Sequence, residues 1–331
     1  MKSGFVSILG KPNVGKSTLL NRLVGTKLAA VSKKPQTTRQ VIRGIRTEPR
    51  GQIVFLDTPG LHTPKDRLGK FMVREASKTF LEADVFYWLT DPILPRTDDF
   101  EYLNQLKLSF PRKRESKEID PRFPPSGTAD PPSRVAEKHS GMTKNVPRND
   151  VKPIFCLINK VDSVSKPQLL PVIDEYQKKF QFQELIPISA LQGDQIDLLL
   201  EKTFTCLPEH EPYFPPDIAS DQTERFVAAE MIREKIFRFT GEEIPYSTVV
   251  QIEEFKEEES IVRIHAVIFT EKDSQKAILI GAKGQKMKQI GQAARQDLEQ
   301  FLGKKVYLEL WVKTLKNWKK DEGSLKRLGF Q

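Results

Sequence analysis

Four short motifs carry residue types that bind phosphate, a purine base or nucleic acid, and the first lies near the start of the chain. Residues 10–17 read Gly-Lys-Pro-Asn-Val-Gly-Lys-Ser, between an apolar run and a segment with helical spacing. Strand, glycine loop and helix in this order predict a cradle of backbone N–H groups for phosphates. The Lys16 ammonium would lie against the β- and γ-phosphates, and the Ser17 hydroxyl would bind Mg²⁺. The predicted phosphate-binding residues are Gly10, Lys11, Pro12, Asn13, Val14, Gly15, Lys16, Ser17 and Thr18, together with Gly60.

The second motif, Asp57-Thr58-Pro59-Gly60, ends the apolar run 52–56. An acidic residue at the end of a buried strand beside a phosphate loop is typical of a carboxylate near Mg²⁺. Gly60 offers an N–H without a side chain, so the backbone can approach a γ-phosphate. Asp-x-x-Gly alone is common and usually marks a turn, and only its distance from the phosphate loop makes it informative.

The third motif, Asn159-Lys160-Val161-Asp162, follows the apolar run 153–158. The Asp162 carboxylate can accept hydrogen bonds from N1–H and the 2-amino group of guanine, whereas adenine presents an acceptor at N1 and has no 2-amino group. Such a site rejects the wrong base by roughly 10⁴–10⁵-fold. Asn159 would brace the loop and meet the base edge, and the Lys160 stem would lie over the purine. The loop at Ser189 and Ala190 would complete the pocket, with the Ala190 N–H donating to guanine O6.

The fourth motif, Gly281-Ala282-Lys283-Gly284, lies between an Ile-rich segment and a basic helix. Gly-x-x-Gly in this setting is typical of a KH domain, in which the loop clamps about four nucleotides. Charge supports this interpretation, because no acidic residue occurs between Gly281 and Gln296. The predicted RNA-binding residues are Gly281, Ala282, Lys283, Gly284, Lys286, Lys288 and Arg295.

Two different element patterns must position these motifs. In the first half strands alternate with helices, which predicts a doubly wound parallel sheet with its ligand loops at the carboxyl ends of the strands. In the second half a helix over 224–239, strands over 249–255 and 261–269, the glycine-loop helix pair and a strand over 306–312 predict a smaller α+β domain. We place the first domain at 1–206, a proline-rich linker at 207–220 and the second domain at 221–331.

Residues 111–150 differ from their surroundings in composition. They contain seven prolines and few large apolar residues. Such a stretch cannot bury enough apolar surface to order itself, so we predict a largely disordered insertion. An additional RNA contact through 111–114 is the alternative interpretation, and neither reading disturbs a nucleotide motif.

Composition bounds the remaining possibilities. The chain has 331 residues and a net charge of +9, and only two cysteines, which excludes a disulfide framework. We therefore expect a reducing cytoplasm, no signal peptide and no spanning helix. Residues 304–327 hold eight bases and three acids. Because positive charge is concentrated there, a polyanionic partner is expected at the second domain.

Together the motifs resemble those of the Era family of ribosome-assembly GTPases, most specifically through Gln-Thr-Thr-Arg at 36–39 and Asp-Thr-Pro-Gly-Leu at 57–61. The resemblance covers the chain except residues 111–150 and implies a type II KH domain. It makes Thr38 the switch threonine, with Thr37 as the less favoured choice, and Ser17, Thr38 and Asp57 the Mg²⁺ set. The second switch would begin with Asp57, Thr58, Pro59 and Leu61 and continue to Phe71 as a mobile segment. Asn13 would either coordinate K⁺ or only brace the phosphate loop.

The resemblance also implies an activity. Leu61 stands where Ras-like enzymes carry a water-orienting glutamine, so hydrolysis of GTP to GDP should be slow. The family's role is to bind small-subunit ribosomal RNA near its 3′ end and assist assembly of that subunit, with peripheral inner-membrane association and, we expect, a monomeric chain. A non-enzymatic RNA-binding regulator that senses nucleotide is one rival. A P-loop ATPase or nucleotide kinase is the other, and Asp162 with its neighbours argues against it.

Overall fold

The computed structural model describes residues 1–32, 34, 37–61, 66–108, 152–241 and 243–330. The predicted insertion at 111–150 and part of the predicted mobile segment after Leu61 lie outside the described residues. Ten α-helices and nine strands are found in the described chain, in one group over residues 2–206 and a second over residues 224–327.

The first group is built on a six-stranded sheet with the order β2-β3-β1-β4-β5-β6. Its strands are β1 (Lys2–Gly10), β2 (Ile42–Glu48), β3 (Gly51–Asp57), β4 (Val85–Thr90), β5 (Ile154–Ile158) and β6 (Glu184–Pro187). The doubly wound sheet is confirmed, with one departure: β2 runs antiparallel to β3, whereas the other pairs are parallel. β3, β4 and β5 are buried along their whole length because helices cover both faces of a parallel sheet.

Five helices accompany this sheet: α1 (Lys16–Val24), α2 (Arg67–Glu82), α3 (Thr97–Leu108), α4 (Lys166–Lys179) and α5 (Ile196–Cys206). One apolar cluster gathers Leu19, Leu20 and Leu23 of α1 with Leu199 and Leu200 of α5 against the sheet. A second cluster packs Val172 and Tyr176 of α4 on the opposite face. The carboxyl ends of β1, β3 and β5 therefore open on one edge, where the first three motifs lie.

The second group has the order of a type II KH domain. Its elements are α6 (Glu224–Phe239), α7 (Ile244–Ser247), β7 (Val249–Glu257), β8 (Ile261–Thr270), α8 (Asp273–Ile280), α9 (Gln285–Leu302), β9 (Lys305–Thr314) and α10 (Glu322–Arg327). The sheet order is β7-β8-β9, with β7 antiparallel and β9 parallel to β8. Ile232, Ile268, Leu279, Ile290 and Ala294 form the core between the sheet and α6, α8 and α9.

The predicted linker is laid along the first sheet. The Gln52 side chain accepts hydrogen bonds from the backbone N–H groups of Tyr213 and Phe214 at 2.8 and 2.9 Å. Further on, the Ile45 N–H donates to the Ala219 carbonyl at 2.8 Å. The linker thus covers the exposed edge of β2, which would otherwise present unpaired backbone groups.

Helix α6 is the element in which the structure departs most from the predicted amphipathic pattern. Residues 231–237 are all buried, including Arg233, Glu234 and Lys235. The helix packs on its own sheet with one side and faces the first domain with the other, so its polar side is covered by protein. Among the helices of the described residues, none combines the length and apolar character needed to cross a membrane.

Candidate nucleotide and RNA sites

The phosphate loop connects β1 to α1 and is closely packed. Gly10 and Gly15 have φ of 147° and 100°, a region that residues with a side chain rarely adopt. A Cβ at Gly10 would come within 2.2 Å of the Leu89 carbonyl, and one at Gly15 within 2.3 Å of the Asn159 amide nitrogen. Glycine is therefore required at both positions by backbone conformation and by space.

Lys16 and Lys11 differ in environment although both belong to this loop. The Lys16 ammonium is buried and donates to the carbonyls of Gly10 at 3.1 Å and Lys11 at 2.8 Å. Burial lowers the pKa of Lys16 to about 8. Lys11 instead pairs with Asp98 and Asp99 of α3 at 2.9 and 2.8 Å. Of these two side chains, Lys16 is placed to meet a phosphate, whereas Lys11 fastens the loop to α3.

Ser17, Thr38 and Asp57 come together from three separate parts of the chain. The Ser17 hydroxyl lies 2.7 Å from the Thr38 hydroxyl and donates to Asp57 Oδ2 at 2.7 Å, while Thr38 donates to the same oxygen at 3.2 Å. The other Asp57 oxygen, Oδ1, is buried and has no hydrogen-bond partner among the described residues. Burial is the main reason that the pKa of Asp57 rises to about 6. Two hydroxyls and an incompletely paired carboxylate suit a hard cation with oxygen ligands.

Thr37 does not belong to this cluster. Its hydroxyl donates to the Lys34 carbonyl at 2.9 Å. The geometry thus favours Thr38 over Thr37 as the threonine that faces the cation position.

The residues after Asp57 pass beneath the phosphate loop. The Thr58 hydroxyl donates to the Ile8 carbonyl at 2.8 Å, and a Cβ at Gly60 would come within 2.9 Å of the Pro12 Cα atom. The Leu61 N–H donates to the Gly10 carbonyl at 3.2 Å, and its side chain packs on the apolar cluster of α4. Gly60 and the phosphate loop are thereby held in direct contact.

The predicted base-binding residues are joined to the phosphate loop by Asn159. Its amide nitrogen donates to the Val14 carbonyl at 2.8 Å, and its Oδ1 accepts from the Ala190 N–H at 2.9 Å. The Ala190 N–H that was predicted to meet guanine O6 is thus paired with Asn159 in this structure. Ser189 donates to Asp162 Oδ1 at 2.5 Å, which orients the carboxylate.

Lys160 completes this group of residues. It has φ of 63°, and its ammonium donates to the Asn13 carbonyl at 2.7 Å and pairs with Asp91 at 2.8 Å. One cavity of about 1000 Å³ is lined by members of all three predicted sets, among them Lys16, Ser17, Thr38, Asn159 and Asp162. Its lining does not include Gly10, Lys11, Val14, Asp57 and Ser189.

Sequence reasoning missed one wall of this cavity. Glu234, Phe237 and Arg238 of α6 line it from the KH domain. Glu234 also accepts from the Val31 N–H at 3.2 Å, next to the start of the first switch. No motif marks these residues, because α6 has an ordinary helical pattern.

The glycine loop of the KH domain joins α8 to α9 and is strongly bent. Gly281, Lys283 and Gly284 have φ of 72°, 47° and 74°. A Cβ at Gly281 would come within 2.8 Å of the Lys286 Cβ atom, whereas one at Gly284 would meet open space. The N-terminus of α9 has no side-chain cap and no acidic residue in its first turn, so its N–H groups can receive an anion.

The predicted basic residues continue from this loop along α9. Lys283, Lys288 and Arg295 are exposed, and Lys286 and Ala282 lie in the same loop region. Lys288 and Arg295 are seven residues apart and therefore share one face of the helix. The structure thus places the predicted RNA residues from Gly281 to Lys288 at the start of α9, and Arg295 about two turns further along the helix.

The fold and both sites define a P-loop GTPase domain joined to a KH domain. Comparison with family profiles agrees: residues 5–118 match the family described as 50S ribosome-binding GTPase, and residues 243–319 match the KH domain. The chain is 44% identical to the GTPase Era of Geobacter metallireducens, over 99% of this chain and 98% of that protein. It is 42% identical to the GTPase Era of Staphylococcus haemolyticus, over 99% and 97%. The chain therefore belongs to the Era family of GTPases, as its motifs predicted.

Solved structures give the same relationship. A point variant of Aquifex aeolicus Era bound to GDP·AlF4⁻ has 38% identity and a TM-score of 0.83, over 100% of this chain and 99% of that one. A structure of Era in complex with MgGDPNP and nucleotides 1506–1542 of 16S ribosomal RNA has 39% identity and a TM-score of 0.84, with the same coverage. Both domains are included in these similarities.

Proposed function

We propose that this protein is a GTP-binding and slowly GTP-hydrolysing switch that binds small-subunit ribosomal RNA near its 3′ end and assists assembly of that subunit. The observation that carries the proposal is the similarity, over the whole chain, to Era in complex with MgGDPNP and 16S RNA nucleotides. The arrangement of the two sites supports it, because a base- and phosphate-binding cavity and a KH glycine loop occur in one chain.

On this proposal Ser17, Thr38 and Asp57 hold Mg²⁺, which supplies positive charge to the triphosphate. Lys16 binds the β- and γ-phosphates, and Gly10 to Gly15 direct backbone N–H groups at the oxygens. Asp162 reads guanine, and Ser189 and Asn159 hold its loop in position. Leu61 cannot orient an attacking water, which is the physical reason for slow hydrolysis.

Three finer features belong to the same proposal. Asn13, which lines the cavity, would coordinate K⁺, an ion that would add positive charge to the phosphate site. The chain acts as a monomer in the cytoplasm. Its net charge of +9 supports peripheral association with the anionic surface of the inner membrane.

RNA titration of matched glycine variants tests the RNA site. Gly284 and Gly303 have φ of 74° and 65°, and a Cβ at either would meet nothing within 4 Å. Gly284→Asp and Gly303→Asp therefore impose similar backbone strain, but only the first puts negative charge in the loop. We expect Gly284→Asp to weaken binding of a 16S 3′-end RNA by about tenfold or more, since it opposes a polyanion, and Gly303→Asp to bind within about threefold of the parent.

Nucleotide competition tests the other half of the proposal. GTP should displace a fluorescent GDP far better than ATP does, because the Asp162 carboxylate faces a lone pair on adenine. Equal displacement by both would favour the ATPase or kinase alternative. Turnover of GTP that neither K⁺ nor small-subunit particles change would favour the nucleotide-sensing RNA-binding regulator.

A further inference from the structure

The segment that carries Thr38 lies against the KH domain. We call residues 31–39 the switch segment, of which residues 31, 32, 34 and 37–39 are described. Its contacts with the second domain begin at Val31, whose N–H donates to Glu234, and at Lys34, whose ammonium donates to the Phe237 carbonyl at 2.6 Å. The Thr37 carbonyl accepts from the Arg233 guanidinium. Both sides of Thr38 are therefore held by α6 and the elements that follow it.

Arg39, the residue after Thr38, makes the most extensive of these contacts. Arg39 is 6% exposed, and its guanidinium donates to the carbonyls of Thr248 at 2.6 Å and of Pro245 and Tyr246 at 3.1 Å each. These carbonyls lie at the carboxyl end of α7, where backbone oxygens have no partner within the helix. Arg39, from the GTPase domain, thus caps a helix of the KH domain.

Trp318 shares this cap. Its indole N–H donates to the Ser247 carbonyl at 3.2 Å, and its ring lies 5.7 Å from the Arg39 guanidinium carbon. Trp318 is completely buried and stacks on Phe330, which in turn meets Phe71 of α2 with ring centroids 5.6 Å apart. The start of α2, where the predicted second-switch segment ends, therefore contacts the same aromatic cluster.

The chain geometry links these contacts to the cation position. Thr38 and Arg39 are neighbours, so their Cα atoms are about 3.8 Å apart and a displacement of one moves the other. In GTPases the first switch is ordered by contacts with Mg²⁺ and the γ-phosphate and is released on hydrolysis. A buried guanidinium needs its hydrogen bonds. The Arg39 guanidinium is therefore either bonded to the α7 carbonyls or hydrated in solvent, and positions between these two are disfavoured.

We propose that Arg39 is a positioning residue that couples the nucleotide state at Thr38 to the placement of the KH domain. With Thr38 at the cation position, Arg39 caps α7 and supports Trp318. When Thr38 leaves, Arg39 is withdrawn, and the carbonyls of α7 and the Trp318 ring lose their partner. The inference rests on the proposed function, because its consequence is a nucleotide-dependent RNA affinity.

The test compares Arg39→Lys and Arg39→Gln with Arg43→Gln in the full chain. Lysine keeps the charge but cannot reach three carbonyls as a planar fork does. Arg43 is the matched control, because it also pairs across to the second half of the chain, with Asp221 at 2.8 Å, but its side chain is 41% exposed. The RNA probe is an oligonucleotide of 16S nucleotides 1506–1542, titrated at fixed salt with Mg²⁺ and either a non-hydrolysable GTP analogue or GDP.

We expect the parent and Arg43→Gln to bind this RNA more tightly with the GTP analogue than with GDP, by roughly 5- to 150-fold. In both Arg39 variants the ratio should fall to within about twofold of one. A ratio that survives in both Arg39 variants overturns the inference while leaving the RNA function intact. A parent that does not bind the RNA at all contradicts the proposed function instead.

A second readout does not need RNA. The chain has three tryptophans, so Trp88→Phe with Trp311→Phe leaves Trp318 as the only reporter. Its emission should differ between the GTP-analogue and GDP complexes, and Arg39→Lys should abolish that difference. Nucleotide-independent emission of Trp318, or an unchanged difference in Arg39→Lys, would overturn the inference. Thermal melting of each variant shows that it is folded, so that a lost ratio cannot be attributed to unfolding.

Discussion

Replacing Asn159 tests whether this residue holds the nucleotide site in shape or selects the base. Its side chain joins the phosphate loop at Val14 to the base loop at Ala190, and the residue is 2% exposed. We expect Asn159→Ala to weaken binding of GTP and xanthosine triphosphate by a similar factor, because it loosens both loops and both bases carry a 6-oxo group. It should leave the preference for guanine over xanthine unchanged.

The magnitude follows from the two hydrogen bonds. Each contributes a net free energy of about 0.5–1.5 kcal/mol, and a buried group left unpaired costs about 1–3 kcal/mol. In the parent these two bonds hold both loops in place before nucleotide binds. In the variant, binding has to order the loops without them, so their lost contribution appears in the binding free energy. The expected loss is about 1–3 kcal/mol of binding free energy, or roughly 5- to 150-fold in affinity.

Titration with fluorescent GTP and xanthosine triphosphate measures this effect. Asn159→Asp is the isosteric companion: it keeps the acceptor for Ala190 but places an oxygen where the amide nitrogen lies 2.8 Å from the Val14 carbonyl. It should bind nucleotide no better than the alanine variant. The bracing role is wrong if Asn159→Ala binds GTP within about threefold of the parent, or if the ratio of GTP to xanthosine triphosphate affinity changes.

Three further outcomes are expected. Asp162→Asn should weaken GTP by roughly 2–5 kcal/mol and strengthen xanthosine triphosphate, whose 2-oxo group accepts from the new amide; unchanged preference in competition would contradict a base contact. Burial opposes ionisation of Asp297, but hydrogen bonds led by that from Lys235 lower its pKa overall. The ionised Asp297 therefore stabilises the fold fully above the unfolded pKa of about 3.9, and this stabilisation is lost as pH falls through the folded-state pKa. Asp297→Asn should consequently make the melting temperature depend less steeply on pH in the acid range. Lys283→Ala and Lys286→Ala should each lower the salt slope of RNA binding by about one, and an unchanged slope would remove that lysine from the interface.

The sequence was sufficient for the motifs because each depends on local backbone and on chemistry that one residue type supplies. Gly10 and Gly15 were recognised from their spacing, and the structure adds only the atoms that exclude a Cβ. Asp57 and Ser17 were placed together because strand ends of a parallel sheet share an edge. Type and spacing of residues therefore predicted which side chains the structure brings together, and their role in binding nucleotide stays a prediction.

The contacts between domains could not be predicted in this way. A charged residue in a helical pattern is normally assigned to the solvated face, yet Arg233 and Lys235 are buried between α6 and its neighbours. Lys235 meets Asp297, 62 residues away, and Asp297 also pairs with Lys27 of the GTPase domain. Pairings at such separations follow from the packing of complete domains, and no local signal in the sequence specifies them.

The linker limits how the two domains can move relative to each other. Backbone hydrogen bonds from Ile45 to Ala219 and side-chain bonds from Gln52 to Phe214 fix it along the first sheet. A switch at Thr38 therefore cannot displace the KH domain by loosening the whole linker, because these contacts do not involve the switch segment. The KH domain begins after these contacts, with α6 at Glu224, and the Arg39 cap is one of its attachments to the GTPase domain. Release of the cap, as proposed above, would therefore act on the KH domain beyond a linker that stays fixed on the first sheet.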